Sequence, residues 1–170
     1  MTQQRRFQSF AALACGCLIA LTQAPSAFAS ATNAVPRNDI NSQVAHEDLV
    51  AKAKQGGVDV YFVGDSITRR WGAKDKQYRS LYENWKTNFF GWNAGDFGWG
   101  ADGIENIIWR LQHDELDGVN PKIIVVLAGI NNVGSFPGGP GKIADISAGI
   151  KMIKDICQQK APNATILLMG

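Results

Sequence analysis

The stretch Val58-Asp59-Val60-Tyr61-Phe62-Val63-Gly64-Asp65-Ser66-Ile67-Thr68 decides the fold. Its β-branched and aromatic run is that of a buried strand, and the run stops at a Gly-Asp-Ser turn. Such a turn puts one hydroxyl, that of Ser66, at the carboxyl end of a strand. That is the edge where open α/β sheets collect ligands and reacting groups. A plainer role is equally open here, because Asp65 and Ser66 are both good N-cap residues and could simply start the next helix.

Downstream, Lys122-Ile123-Ile124-Val125-Val126-Leu127-Ala128 is an uninterrupted apolar run, the pattern of a parallel strand covered on both faces. Between these two strands, Phe89 to Gly95 reads as another, and Thr165 to Met169 as a fourth. Helical spacing recurs between them. Ser42 to Gln55 carries Val44, Leu49, Val50 and Ala53, with Gly56-Gly57 as its stop. Tyr78 to Lys86 has Tyr78, Leu81, Tyr82 and Trp85 on one side. Ile104, Ile107, Ile108 and Leu111 line a helix ending near Asp117-Gly118. Ile143, Ile146, Ile150, Ile153 and Cys157 line a long one from Lys142 to about Lys160. Alternating strands and helices predict a three-layer α/β/α domain built on a parallel sheet.

The chain has 170 residues, enough for one domain. Its formal charge of +2 resides wholly in Arg5 and Arg6, and the rest balances. Nucleic acid is therefore not an expected partner, since phosphate binding needs a clustered basic excess. Arg5-Arg6, the apolar run Phe10 to Leu21 and Ala27-Phe28-Ala29 form the n-region, core and cleavage site of an export signal. The apolar run is short for a bilayer span, so no stable membrane anchor is expected. The expected layout is a signal peptide over residues 1–29, a flexible lead-in over 30–43 and the α/β domain over 44–170, in a protein exported to the periplasm or outside the cell. With the signal removed, Cys157 is the sole cysteine and no internal disulfide forms. No His/Cys/carboxylate spacing suggests a metal, and no cofactor is expected.

Three strand ends carry glycine-rich or polar turns: Ser66, the Gly98 to Gly103 loop, and Asn131. In a parallel sheet they leave from one edge and can converge on one crevice. Together they suit acyl transfer. Ser66 would attack a carbonyl, while backbone N–H groups of the glycine-rich turn and the Asn131 amide would hold the oxyanion. Trp71 and Trp99 flank that crevice as candidate substrate-binding residues able to stack on a sugar ring, and Trp85, Trp92 and Trp109 are assigned to the core. Two other readings remain. The same fold could be a non-catalytic glycan-binding module. Gly98-x-Gly100-x-x-Gly103 also matches a dinucleotide fingerprint, although no carboxylate follows at the end of the next strand.

Gly64-Asp65-Ser66-Ile67, Gly98-Trp99-Gly100-Ala101-Asp102 and Gly129-Ile130-Asn131-Asn132 resemble the first three blocks of the SGNH (GDSL-type) hydrolase superfamily. Asn106-Ile107-Ile108-Trp109-Arg110-Leu111 is similar to the branch containing platelet-activating-factor acetylhydrolase subunits and many bacterial carbohydrate esterases. The resemblance implies a flavodoxin-like α/β/α fold and hydrolysis of small acyl esters on carbohydrate or lipid, without metal or organic cofactor. By it, Ser66 is the nucleophile and its own N–H an oxyanion donor, with Ala101 giving a backbone donor and Asn131 a side-chain donor. Ala101 stands where the family has glycine, a substitution that costs nothing if its φ is negative and is disfavoured if φ is positive. The family's Asp-x-x-His block, which supplies the base and its orienting acid, does not occur in the 170 residues. The sequence therefore reads as the N-terminal part of the domain, with little or no esterase activity expected as written. His46 and His113 are both expected at the solvated surface.

Overall fold

The computed structural model describes residues 30–134 and 139–170, so the proposed signal segment lies outside the described residues. The elements run α1 (Ile40–Gln55), β1 (Val60–Gly64), α2 (Ser66–Gly72), α3 (Arg79–Asn88), β2 (Ala94–Gly98), α4 (Ile104–Gln112), β3 (Ile123–Leu127), α5 (Ile130–Val133), α6 (Pro140–Lys160) and β4 (Thr165–Leu168). All strand pairs are parallel, in the order β2-β1-β3-β4.

Alternate side chains of the two central strands divide the core. Tyr61, Val63, Ile124 and Val126 face one way, against Ala53 of α1, Ile104, Ile107, Ile108 and Leu111 of α4, and Ile153, Ile156 and Cys157 of α6. Val60, Phe62 and Val125 face the other way, against Trp85 with Trp71, Tyr82 and Phe89 around it. Helices thus cover both faces of a parallel sheet, the three-layer arrangement its continuous apolar strands require.

The strand predicted at Phe89–Gly95 sits later, at Ala94–Gly98. Phe89 instead closes α3 and packs edge-on against Phe62 and Trp71, with centroids 5.2 and 4.8 Å away. A 3-10 turn over Phe90–Trp92 follows, leaving Phe90 and Trp92 exposed, so Trp92 is not a core residue. Apart from the buried Phe97 the real strand is made of small and polar residues, and at its end α2 lies so close that a Cβ at Gly98 would stand 2.4 Å from the Arg69 backbone nitrogen. Two helix assignments shift as well. α4 stops at Gln112, and Ile143 faces solvent while Ile156 is buried.

Residues 30–43 are not a flexible lead-in. Helix α1 begins at Ile40, capped by the Asp39 carboxylate, which accepts from the Ser42 N–H at 3.0 Å. The residues before it open with a turn, the Asn33 N–H donating to Ser30 O at 2.9 Å, and strap across the α4–α6 side. Ser30 Oγ and the Ala31 N–H donate to the Asp145 carboxylate at 2.6 and 2.9 Å. The Val35 N–H donates to Glu105 O at 3.2 Å, and Asn106 Nδ2 donates to Val35 O at 2.9 Å. Ala31 is fully buried beside Gly149, where α4 and α6 meet. Polar composition made this strap read as loose, yet its polar groups are what fasten it.

A methyl added at Gly149 would stand 2.6 Å from Ile104 Cγ2 and 3.0 Å from both Cβ and O of Ala31. Gly149→Ala should therefore lower stability by about 1–2 kcal/mol, the overpacking cost exceeding the gain in helix propensity. Urea unfolding should show a lower midpoint at an unchanged slope.

Candidate active site

Gly64 is in register with Gly98 on one side and Leu127 on the other. The ends of three adjacent strands are therefore level, and the turns bearing Ser66, Ala101 and Asn131 leave from one edge. Asp65 caps α2 by accepting from the Ile67 N–H at 2.8 Å, so the capping role belongs to Asp65. Ser66 is the first residue of the helix, half-buried, and its hydroxyl has no hydrogen-bond partner among the described residues. Gly64 is held to glycine by close approach, since a Cβ there would lie 2.2 Å from Thr68 Oγ1 and 2.4 Å from Leu127 O.

The turn after β2 is exposed at Ala101, whose φ is 62°. The condition under which alanine would substitute for glycine without cost is not met: the backbone is left-handed and the methyl is strained. The turn is nevertheless well tied. Asn131 Nδ2 donates to Asp102 O at 2.7 Å, and Asn132 Oδ1 accepts from the Ile104 N–H at 2.8 Å. Asn132 Nδ2 also donates to Glu105 Oε2 at 2.7 Å, and Asn106 Oδ1 accepts from the Gly103 N–H at 2.9 Å. Asn131 thus spends one amide proton on the neighbouring turn and keeps the other, since a primary amide has two.

Beneath the turn lies a chain of buried charges. Arg110 Nε donates to Asp102 Oδ2 at 2.7 Å, and its Nη1 pairs with Glu115 Oε2. Arg110 also donates to the carbonyls of Phe97 at 3.1 Å and Gly64 at 3.3 Å. Burial alone would depress the guanidinium, but Glu115 and Asp102 together hold its pKa above the ordinary value. Desolvation pushes the Asp102 carboxyl up to about 6 against the pull of Arg110. His46 is part of this chain, not a surface group: its Nδ1 lies 2.7 Å from Glu115 Oε1 and its ring leans on Trp109. His113 is exposed at the end of α4 and stacked on Trp109, as expected of a surface residue.

The two proposed stacking residues part company. Trp71 is a partly buried member of the aromatic cluster on the sheet face, with its indole N–H on Asn84 Oδ1 at 2.9 Å, and it packs with Phe62, Trp85 and Phe89. Trp99 lines a groove of about 940 Å³ beside edge strand β2, under the Arg69 guanidinium and bonded to Ser42 Oγ at 2.8 Å. In the same groove Lys52 Nζ donates to Asp96 O at 2.6 Å. The Asp96 carboxylate accepts from the Gly72 and Gly98 N–H groups at 2.9 and 2.8 Å. Desolvation still pushes Asp96 up to about 6. Neither Arg110 nor Glu115 announces a role in the sequence. A lone arginine inside the apolar stripe Ile104–Leu111 was the available signal.

The model of the GDSL-like Lipase/Acylhydrolase family matches residues 62–170. Platelet-activating factor acetylhydrolase IB subunit alpha1 of Homo sapiens is 32% identical over 125 residues, which cover 74% of this chain and 48% of that protein. Subunit alpha2 of Gallus gallus is 30% identical over 125 residues, with the same two coverages of 74% and 48%. The chain spans about half the length of these curated relatives. Among solved structures, a candidate acylhydrolase from Bacteroides fragilis NCTC 9343 aligns with 72% of this chain and 55% of its own, at TM-score 0.47 and 16% identity. A candidate GDSL-like lipase from Parabacteroides merdae ATCC 43184 aligns with 66% and 59%, at TM-score 0.46 and 16% identity. The chain belongs to the GDSL-like lipase/acylhydrolase family, as its three sequence blocks led us to expect.

Two predictions follow from this geometry. Ala101→Gly should raise stability by about 1 kcal/mol by relieving the left-handed alanine, read as a higher urea midpoint. Asp96, with its folded pKa raised to about 6, contributes stability below the unfolded value that is lost as pH climbs through roughly 4 to 6. Asp96→Asn removes that slope, so its stability relative to the parent should improve by up to about 3 kcal/mol between pH 4 and pH 7.

Proposed function

From membership of the GDSL-like lipase/acylhydrolase family, we propose that the domain containing this chain is an exported serine esterase acting on small acyl esters of carbohydrate or lipid. The observation that carries the reading is the level ending of β1, β2 and β3, which sends the Ser66, Ala101 and Asn131 turns out from one edge.

In this mechanism Ser66 Oγ attacks the ester carbonyl, and the negative charge moves onto the carbonyl oxygen. The N–H groups of Ser66 and Ala101 and the second Asn131 amide proton receive that oxyanion. Donors fixed in advance stabilise it without reorganising during the reaction. Collapse of the intermediate expels the alcohol and leaves an acyl group on Ser66, which water then removes. A base must take the Ser66 proton, because a neutral hydroxyl is a weak nucleophile. His46 is committed to Glu115 and His113 to the end of α4. The Asp-x-x-His pair implied by the family resemblance would supply that base. Export rests on the residues before Ser30, and N-terminal sequencing of the mature protein tests it. The glycan-binding and dinucleotide-binding readings are not favoured beside a family of acylhydrolases.

In protein that includes the Asp-x-x-His pair, p-nitrophenyl acetate hydrolysis should fall by about 10³-fold or more in Ser66→Ala. Asn131→Ala should cost about 10²-fold in kcat with little change in KM. Full activity in Ser66→Ala would overturn the assignment.

A further inference from the structure

Arg110 touches two of the three strand ends directly and the third, that of Asn131, through Asp102. Its Nη2 reaches the carbonyl of Gly64, two residues before Ser66, at 3.3 Å. Its Nη1 reaches the carbonyl of Phe97, in the last turnward part of β2, at 3.1 Å. Its Nε holds Asp102, the residue after Ala101, at 2.7 Å, and the Asp102 carbonyl in turn receives the Asn131 amide at 2.7 Å. The far side of the guanidinium is fixed by Glu115, which is itself held by His46. Arg110 and both carboxylates are buried.

Within this set the Asp102 carboxylate has one hydrogen-bond donor, Arg110, and a longer ion pair with Arg37. Its Oδ2 takes the Arg110 bond, whereas its Oδ1 has no hydrogen-bond partner among the described residues, the nearest cation being Arg37 at 3.6 Å. The strained Ala101 stands next to it. A left-handed alanine relaxes toward negative φ unless its flanks are held. Upstream Arg37 Nη1 donates to Gly100 O at 3.1 Å, and downstream Asp102 is held at its side chain by Arg110 and at its carbonyl by Asn131.

We propose that Arg110 is the positioning residue of the oxyanion turn, its guanidinium fixing Asp102 and so aiming the Ala101 N–H and Asn131 amide relative to Ser66. This rests on the hydrolase reading above. Arg110 touches no reacting atom; it acts through Asp102 and the strand-end carbonyls. A planar fork with five donors can serve four acceptors at once, which a lysine ammonium on a flexible stem cannot.

The test uses Arg110→Lys, which keeps the charge, and Asp102→Asn, which keeps the volume and leaves Arg110 paired with Glu115. Amide exchange is followed by NMR in the 170-residue chain. In both variants the Trp99, Gly103 and Ile104 amides should exchange about tenfold faster while those of β3 are unchanged. In protein carrying the Asp-x-x-His pair, kcat for p-nitrophenyl acetate should fall about ten- to hundredfold with KM within about twofold. Folded variants with unchanged kcat, or exchange that rises equally across the whole sheet, overturn the proposal. If Arg110→Lys does not fold, Asp102→Asn decides by the same two readouts. Full activity in Ser66→Ala sinks the hydrolase reading. Loss of activity there beside an unaffected Asp102→Asn sinks only the positioning role.

Discussion

A single buried guanidinium, that of Arg110, is bonded to two carboxylates and two strand-end carbonyls, and the arrangement at the sheet edge depends on it. Buried charge is tolerated only when paired and hydrogen-bonded, so each partner constrains the others. Removing one partner of such a pair typically costs about 3–5 kcal/mol, because the remaining charge is left without compensation. The guanidinium therefore ties α4 to the ends of β1 and β2, and through Glu115 and His46 it ties both to α1. Tyr61 joins from the sheet, its hydroxyl donating to Glu115 O at 3.1 Å while its ring stacks on Phe97. What would otherwise be separate loops are joined by one polar cluster inside an apolar layer.

Much of the fold was legible because parallel strands and amphipathic helices carry distinct apolar periods. Val60–Gly64 and Ile123–Leu127 are buried on both faces and read as strands without ambiguity. The miss at β2 has a physical origin. Gly98 is glycine because α2 abuts the strand end, and a strand whose one large apolar residue is Phe97 carries little hydrophobic signature. The aromatics just before it carried that signature for another reason, the cluster under α2 and α3. The same cluster claims Trp71, whose position two turns after a strand end said nothing about which face it would join. The docked strap over residues 30–38 was illegible because its bonds go to Asp145, Glu105 and Asn106, all far away in the chain.

At the candidate site, residue types were legible and their conformations were not. Three turns at three strand ends could be read from spacing, and the register of the strands makes them level. The sign of φ at Ala101 could not be read from composition, since alanine itself argues for the opposite sign. Nor could the partner of His46. A histidine on a charged helix looks solvated until the chain folds Glu115 beneath it.

Ala101 holds the turn after β2 in a backbone conformation that its own side chain disfavours. A glycine there would be indifferent between left- and right-handed backbone once the flanking bonds loosened. Alanine is not indifferent, and its bias of about 1–3 kcal/mol favours leaving the left-handed well. The observed geometry is kept in place by the Asp102 and Asn131 bonds, which must offset that bias. The alanine thus makes the turn lean on the buried ion cluster beneath it, where a glycine would not.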